Sequence, residues 1–187
     1  MALTLLLGGA RSGKSALAVR LARGWAGPVA LVATLQPRDQ ETAERIERHR
    51  AERPPGWATV EAPSELEAAL AGQAGGAFVI VDCLTLWVAN LVEQGLTDER
   101  VAARAAEAAK LAAARPGPTV AVSNEVGSGI VPVNPLARRY RDLLGGVNAT
   151  WAAAAANAVL LVAGRALPLL DAEALAGLVA PGAEPPA

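Results

Sequence analysis

Cysteine occurs once, at Cys83, and histidine once, at His49. A single thiol excludes an internal disulfide framework and a cysteine-based metal knuckle, and it suits a reducing cytosol. Any step that needs an imidazole must use His49. Lysine is confined to Lys14 and Lys110, and arginine supplies the remaining positive charge. With its abundant alanine, that bias reflects genome composition rather than mechanism. Neither charge sign is in excess: a formal net charge of -1 leaves no electrostatic footprint for nucleic acid or an anionic membrane surface. Long apolar runs are also missing. The stretch Trp151 to Gly164 is mostly alanine, contains Asn157, and is too short to cross a bilayer as a helix. Met1 leads straight into a short apolar run ending at Gly8, with no basic region and no small-residue cleavage site, which predicts a strand and not a signal peptide. A cytoplasmic protein without a membrane span is expected.

What is present is a globular composition, with 52% hydrophobic and 19% charged residues over 187 positions. That length holds one α/β domain with a developed core and no second large one. Strands are predicted at Leu3–Leu7, Val29–Ala33, Phe78–Val81, Thr119–Val122 and Val159–Val162. They lack the in/out alternation of a half-exposed sheet, as parallel strands do when helices cover both faces. Helices are predicted over Ser15–Gly24, Glu41–Arg53, Ser64–Leu70, Leu84–Gly95 and Asp98–Ala114. A further helix starts at the Asn134 cap and Pro135 and runs from Leu136 to Leu144, with Gly145-Gly146 as its stop. The domain is assigned to residues 1–180, followed by a Pro-rich tail over 181–187.

Gly8-Gly9-Ala10-Arg11-Ser12-Gly13-Lys14-Ser15 fits the pattern G-x-x-x-x-G-K-[ST]. It follows an apolar strand and opens an amphipathic segment, the context this pattern requires. Glycines let consecutive N–H groups point inward, and the next helix adds its positive end, so a polyphosphate is held mainly by backbone. Lys14 adds a fixed positive charge, and Ser15 offers its hydroxyl to Mg²⁺ bridging the terminal phosphates. The fold class that follows is a single-domain P-loop NTPase-type α/β fold, RecA-like, with a mostly parallel central sheet covered by helices on both faces. Asp82, at the end of Phe78-Val79-Ile80-Val81, is the metal partner, although an aspartate there also suits a plain helix cap. A third strand ends in Ser123-Asn124-Glu125-Val126-Gly127-Ser128-Gly129, either an ordinary turn or a third polar strand end at the same ligand-binding edge. On the second reading, Asn124 and Glu125 orient the acceptor hydroxyl or a metal-bound water.

His49 lies among Glu41, Glu44, Arg45, Glu47, Arg48, Arg50, Glu52 and Arg53. Glu41–Arg45 and Glu44–Arg48 have helix-stabilising spacing, so a solvated charged face is one reading. On a helix, Arg45 and Arg53 fall one turn either side of His49, so an approaching triphosphate meets an imidazole flanked by two guanidiniums. From the residues alone a simple P-loop kinase with His49 as surface decoration, and a nucleotide-dependent switch, both stay open. A Ras-like switch fits poorly, since neither lysine lies in an Asn-Lys-x-Asp motif.

The P-loop, then Arg45-Ile46-Glu47-Arg48-His49-Arg50, then Asn124-Glu125-Val126-Gly127-Ser128-Gly129-Ile130-Val131-Pro132 make a more specific set. Together with Asn134, Leu136-Ala137-Arg138, Arg141-Asp142, Gly145 and Val147-Asn148, it resembles the bifunctional adenosylcobinamide kinase/adenosylcobinamide-phosphate guanylyltransferases of cobalamin biosynthesis. The sequence departs from that pattern at Ala149, where Gln is usual, and at Asn157, where an acidic residue is frequent. The resemblance implies NTP-dependent phosphorylation of adenosylcobinamide, then GMP transfer from GTP to adenosylcobinamide phosphate. It implies ATP and GTP as substrates with Mg²⁺, and His49 as the guanylylated residue. It also implies a cytoplasmic homo-oligomer, a trimer in an enteric relative.

Overall fold

The structure is a computed structural model that describes residues 3–36, 40 and 54–172. Its seven strands are β1 (Leu3–Gly8), β2 (Val29–Ala33), β3 (Ala58–Glu61), β4 (Phe78–Asp82), β5 (Thr119–Val122), β6 (Asn157–Val162) and β7 (Arg165–Leu169). They form one sheet in the order β3-β2-β4-β5-β1-β6-β7. Every neighbouring pair is parallel except β6 with β7. The described helices are α1 (Lys14–Arg23), α2 (Leu66–Ala71), α3 (Leu84–Glu93), α4 (Asp98–Ala114) and α5 (Pro135–Ala154). The helix predicted over Glu41–Arg53 and the tail at 181–187 lie outside the described residues.

Successive side chains of a strand point to opposite faces, and the apolar runs feed two cores accordingly. Leu3, Leu5, Leu7, Ala30, Val32, Val79, Val81 and Ala121 face one side, where α2 to α5 pack through Leu66, Trp87, Leu91, Ala105, Val147 and Trp151. Leu6, Leu31, Ile80, Val120, Val122 and Leu161 face the other, where α1 lays down Ala18 and Ala22. Both faces are covered, as the unbroken apolar runs predict. On α4 the buried residues Val101, Ala105, Ala108 and Ala112 recur at helical spacing, so small side chains bring that helix close to its neighbours. Among the described residues no helix is long and apolar enough to cross a membrane.

The strands align their ends. Ala33 pairs with Asp82, Asp82 with Val122, and Leu6 with Val122, so β2, β4, β5 and β1 all finish at one carboxyl edge. Ligands of open parallel sheets bind at that edge.

Two expectations are corrected. β3 and β7 were not predicted: they are the edge strands, β3 is short and largely exposed, and β7 is exposed throughout and interrupted by Pro168. The last helix starts as predicted, with Asn134 Oδ1 accepting from the N–H groups of Leu136 (2.8 Å) and Ala137 (3.2 Å). It does not stop at Gly145-Gly146 but continues to Ala154. Leu144, Val147, Asn148 and Trp151 form a buried stripe, and that packing outweighs two glycines in mid-helix. A Cβ on either glycine would meet nothing within 4 Å. Gly145→Ala and Gly146→Ala are therefore expected to stabilise the fold by about 0.5–1 kcal/mol each, read from urea unfolding. Destabilisation by either would mean that the helix needs the glycine.

Candidate active site

β1 ends where the phosphate-binding motif begins, and its neighbour β6 dictates what can stand there. Gly8 pairs with Leu161, has φ 148°, and a Cβ on it would lie 2.3 Å from the Leu161 carbonyl oxygen. No side chain fits. Gly13 closes the loop at φ 101° and caps α1 without any side-chain hydrogen bond, which leaves the amides of the first turn for a ligand. Gly9, Ala10 and Arg11 are exposed between them, whereas Ser12 is buried. Gly164 N donates to Ser12 O at 3.0 Å, tying the β6–β7 turn to the loop.

Lys14 is buried and folds back over the loop, its Nζ donating to Gly8 O (2.7 Å), Gly9 O (2.8 Å) and Ser12 Oγ (3.3 Å). Burial holds its ammonium below the ordinary lysine value, an effect that the nearby Asp82 carboxylate partly offsets. One residue on, Ser15 Oγ donates to Asp82 Oδ1 at 3.4 Å, bridging the first turn of α1 to the end of β4. A hydroxyl and a carboxylate so placed fit Mg²⁺, which takes one or two protein oxygens and completes its shell with phosphates and water. Among the described residues no cluster of three or more His, Cys, Asp or Glu is arranged to hold a metal by itself.

β5 delivers the third strand end to the same place. Ser123 N donates to Leu6 O (2.9 Å) and Glu125 N to Gly8 O (3.2 Å), so Asn124 and Glu125 adjoin the loop. Asn124 is gripped by its backbone: its N–H donates to Thr85 Oγ1 (2.8 Å), and its carbonyl accepts from Asn148 Nδ2 (3.0 Å). The Glu125 carboxylate accepts from Gly127 N–H within its own turn. Thus Gly8 to Ser15, Asp82, Asn124 and Glu125 come together, whereas His49, Arg45 and Arg53 lie outside the described residues. Arg138 donates to Pro132 O and Val133 O, and Arg141 pairs with Asp142, so both have local partners. The Cys83 thiol is pushed up to about 11 by burial and by Asp82, and stays neutral.

Sequence reasoning missed Thr34 and Thr85, and gave no role to Asn148 beyond its place in the resemblance; all three hold the strand ends in place. For Thr34 a signal existed, since it follows the apolar run of β2 as Asp82 ends that of β4. A polar residue at the carboxyl end of each central strand is one pattern, not separate accidents.

The family described as cobinamide kinase / cobinamide phosphate guanyltransferase matches residues 4–169. The chain belongs to that family. It is 43% identical over 170 residues to the bifunctional adenosylcobalamin biosynthesis protein CobP of Pseudomonas aeruginosa, covering 88% of this chain and 95% of that protein. Bifunctional adenosylcobalamin biosynthesis proteins named CobU are 40% identical in Escherichia coli and 39% in Salmonella typhimurium, each covering 86% of this chain and 95% of the relative. Among solved structures, a type III secretion ATPase of pathogenic bacteria superposes with a TM-score of 0.54 at 12% identity, covering 94% of this chain and 61% of that one. The assembled ATPase EscN of enteropathogenic E. coli gives 0.55 at 11% identity, covering 87% of this chain and 43% of that one. At such identity the likeness concerns the P-loop ATPase fold alone.

Gly8→Ala is expected to cost at least about 2 kcal/mol through its backbone conformation and the contact with Leu161 O. Gly9, where a Cβ meets nothing within 4 Å, is the control. Gly9→Ala should stay within about 0.5 kcal/mol of wild type in urea unfolding.

Proposed function

We propose that the protein phosphorylates adenosylcobinamide with a nucleoside triphosphate and then transfers GMP from GTP to the product, giving adenosylcobinamide-GDP and pyrophosphate. The observation that supports this most is the buried Lys14 ammonium beside the Ser15–Asp82 pair, a polyphosphate cradle in a chain of this family. In the first reaction the aminopropanol hydroxyl attacks the γ-phosphorus, the bond to the β–γ bridging oxygen breaks, and the hydroxyl proton leaves. Lys14 and the loop amides hold the phosphates in line, and Ser15 with Asp82 would hold Mg²⁺, which would supply charge neutralisation for the phosphates. Asn124 and Glu125, beside the loop, are suited to orienting the acceptor.

In the second reaction an imidazole nitrogen of His49 attacks the α-phosphorus of GTP and pyrophosphate departs. A phosphate oxygen of adenosylcobinamide phosphate then attacks the same phosphorus and frees the histidine. The phosphoramidate keeps its transfer potential, so one difficult displacement becomes two easier ones. Arg45 and Arg53, one helical turn away by spacing, would steady the triphosphate and favour the neutral imidazole.

We further infer a cytoplasmic homo-oligomer, a trimer by the family resemblance. Ile130 is 97% and Val133 94% exposed, with Val131 and Leu136 beside them, an apolar surface that a second copy would cover.

Incubation with GTP labelled at the α-phosphate should give an acid-labile, base-stable protein adduct that His49→Ala lacks. Unlabelled wild-type protein with intact kinase activity would leave a simple kinase. Because both reactions use an NTP polyphosphate, Lys14→Ala should depress each by at least about tenfold in kcat/KM, measured separately with cobinamide and cobinamide phosphate substrates. A normal rate in either would mean that the cradle is not shared.

A further inference from the structure

The Asp82 carboxylate meets Ser15 where β4 leaves the sheet for α3, and the residue after it, Cys83, lies beyond the ladder. The ladder ends with Ala33 opposite Asp82. Beyond it the next residue of β2's run, Thr34, takes hold of the turn with three hydrogen bonds. Its N–H donates to Asp82 O at 3.1 Å. Its Oγ1 accepts from Cys83 N–H at 2.8 Å and donates to Cys83 O at 2.7 Å. Asp82 O and Cys83 N belong to one peptide group, so its carbonyl and its N–H are both held by the same residue. Thr34 is in turn fixed from α3, where Asn90 Nδ2 donates to Thr34 O (2.9 Å) and to Pro63 O (2.8 Å).

Burial alone does not call for a hydroxyl here. Thr34 is 0% exposed, so it touches no solvent. Valine would fill nearly the same volume, and the cost would be an orphaned Cys83 N–H, since Cys83 O also accepts from Trp87 N at 3.2 Å. A threonine that satisfies donor and acceptor of the residue after a metal-binding aspartate fixes where that aspartate points, as partners behind a ligand do in metal sites generally.

We propose that Thr34 is a positioning residue for Asp82: its hydroxyl clasps the Cys83 backbone and thereby aims the Asp82 carboxylate at Ser15 and at Mg²⁺. This rests on the reading of Ser15 and Asp82 as the Mg²⁺ pair, and the test separates the two. The full chain is titrated by calorimetry with the α,β-methylene analogue of GTP, in EDTA and across a series of Mg²⁺ concentrations. Thr34→Val should raise the Mg²⁺ concentration for half-maximal enhancement of binding about tenfold while leaving affinity in EDTA within about twofold of wild type. Thr34→Ser, which keeps the hydroxyl, should restore the wild-type midpoint. Asp82→Asn should remove most of the enhancement, and adding Thr34→Val to it should change nothing more. Should the valine variant fail to fold, Thr34→Ala, which adds no bulk, reads the same loss.

A lower melting temperature for Thr34→Val with an unmoved Mg²⁺ midpoint would overturn the proposal and leave a structural hydroxyl. So would an equal shift on the Asp82→Asn background. If instead Asp82→Asn itself keeps the full Mg²⁺ enhancement, the metal reading fails and the positioning role falls with it.

Discussion

A buried ammonium whose hydrogen-bond partners are all neutral is the interaction on which this site depends. Lys14 Nζ lies against two main-chain carbonyls and one hydroxyl, and burial already disfavours its charge. Neutral dipoles compensate a buried cation only in part, so the site gains when an anion arrives. The sequence of that stretch follows from the need to keep the cation there. Gly8 admits the close pass of β6, Gly13 turns the chain into α1, and Ser12 supplies the third oxygen. The β6–β7 turn and the exit of β5 are bonded to the same loop, so the cradle is fixed by elements far apart in the chain.

Around that cradle the parallel sheet acts as an alignment device. β2, β4 and β5 end level and β1 runs on past them to Gly8, and polar residues stand at or after these ends: Ser12 in the loop beyond β1, Thr34 beyond β2, Asp82 on β4, Ser123 and Asn124 beyond β5. Helical residues then hold the exit of β5. Thr85 and Asn148 hold Asn124 by its backbone, and Tyr140 in α5 donates to Thr85 O at 2.9 Å. The two functional aims, gripping phosphate and orienting a carboxylate, are met by backbone geometry more than by side-chain charge. That suits a chemistry in which the protein mainly positions reactants.

What was legible in the sequence follows a physical divide. β1, β2, β4 and β5 are apolar on both faces because helices cover both, and such runs declare themselves. β3 presents Ala58, Thr59 and Glu61 to solvent, and β7 contains Pro168 and is exposed along its length, so neither has a run to read. α5 was cut short because Gly145-Gly146 looks like a stop when its buried stripe is not visible. The cradle was readable since its residues are local and their spacing is the signal. Thr34, Thr85 and Asn148 were not, because each acts by bonding the backbone of another element, 49, 39 and 24 residues away.

The choice of nucleophile for the second reaction narrows on the same geometry. Nucleotidyl groups pass through nitrogen or sulfur when a thiolate, amine or imidazole can reach the α-phosphorus. Cys83 is the lone thiol, and burial with Asp82 beside it keeps the thiol protonated. Lys14 is committed to the loop, where its Nζ donates to the carbonyls of Gly8 and Gly9. Lys110 is exposed in the last turns of α4, which ends four residues before Pro118 leads into β5 at the amino edge, the end of the sheet opposite the cradle. His49 remains, on the stretch that leaves β2 at the carboxyl edge where Ala33 pairs with Asp82. On the proposed mechanism the nucleotidyl group passes to His49, and the stretch of sequence that carries it follows β2, whose last residue pairs with Asp82, the carboxylate proposed to hold Mg²⁺.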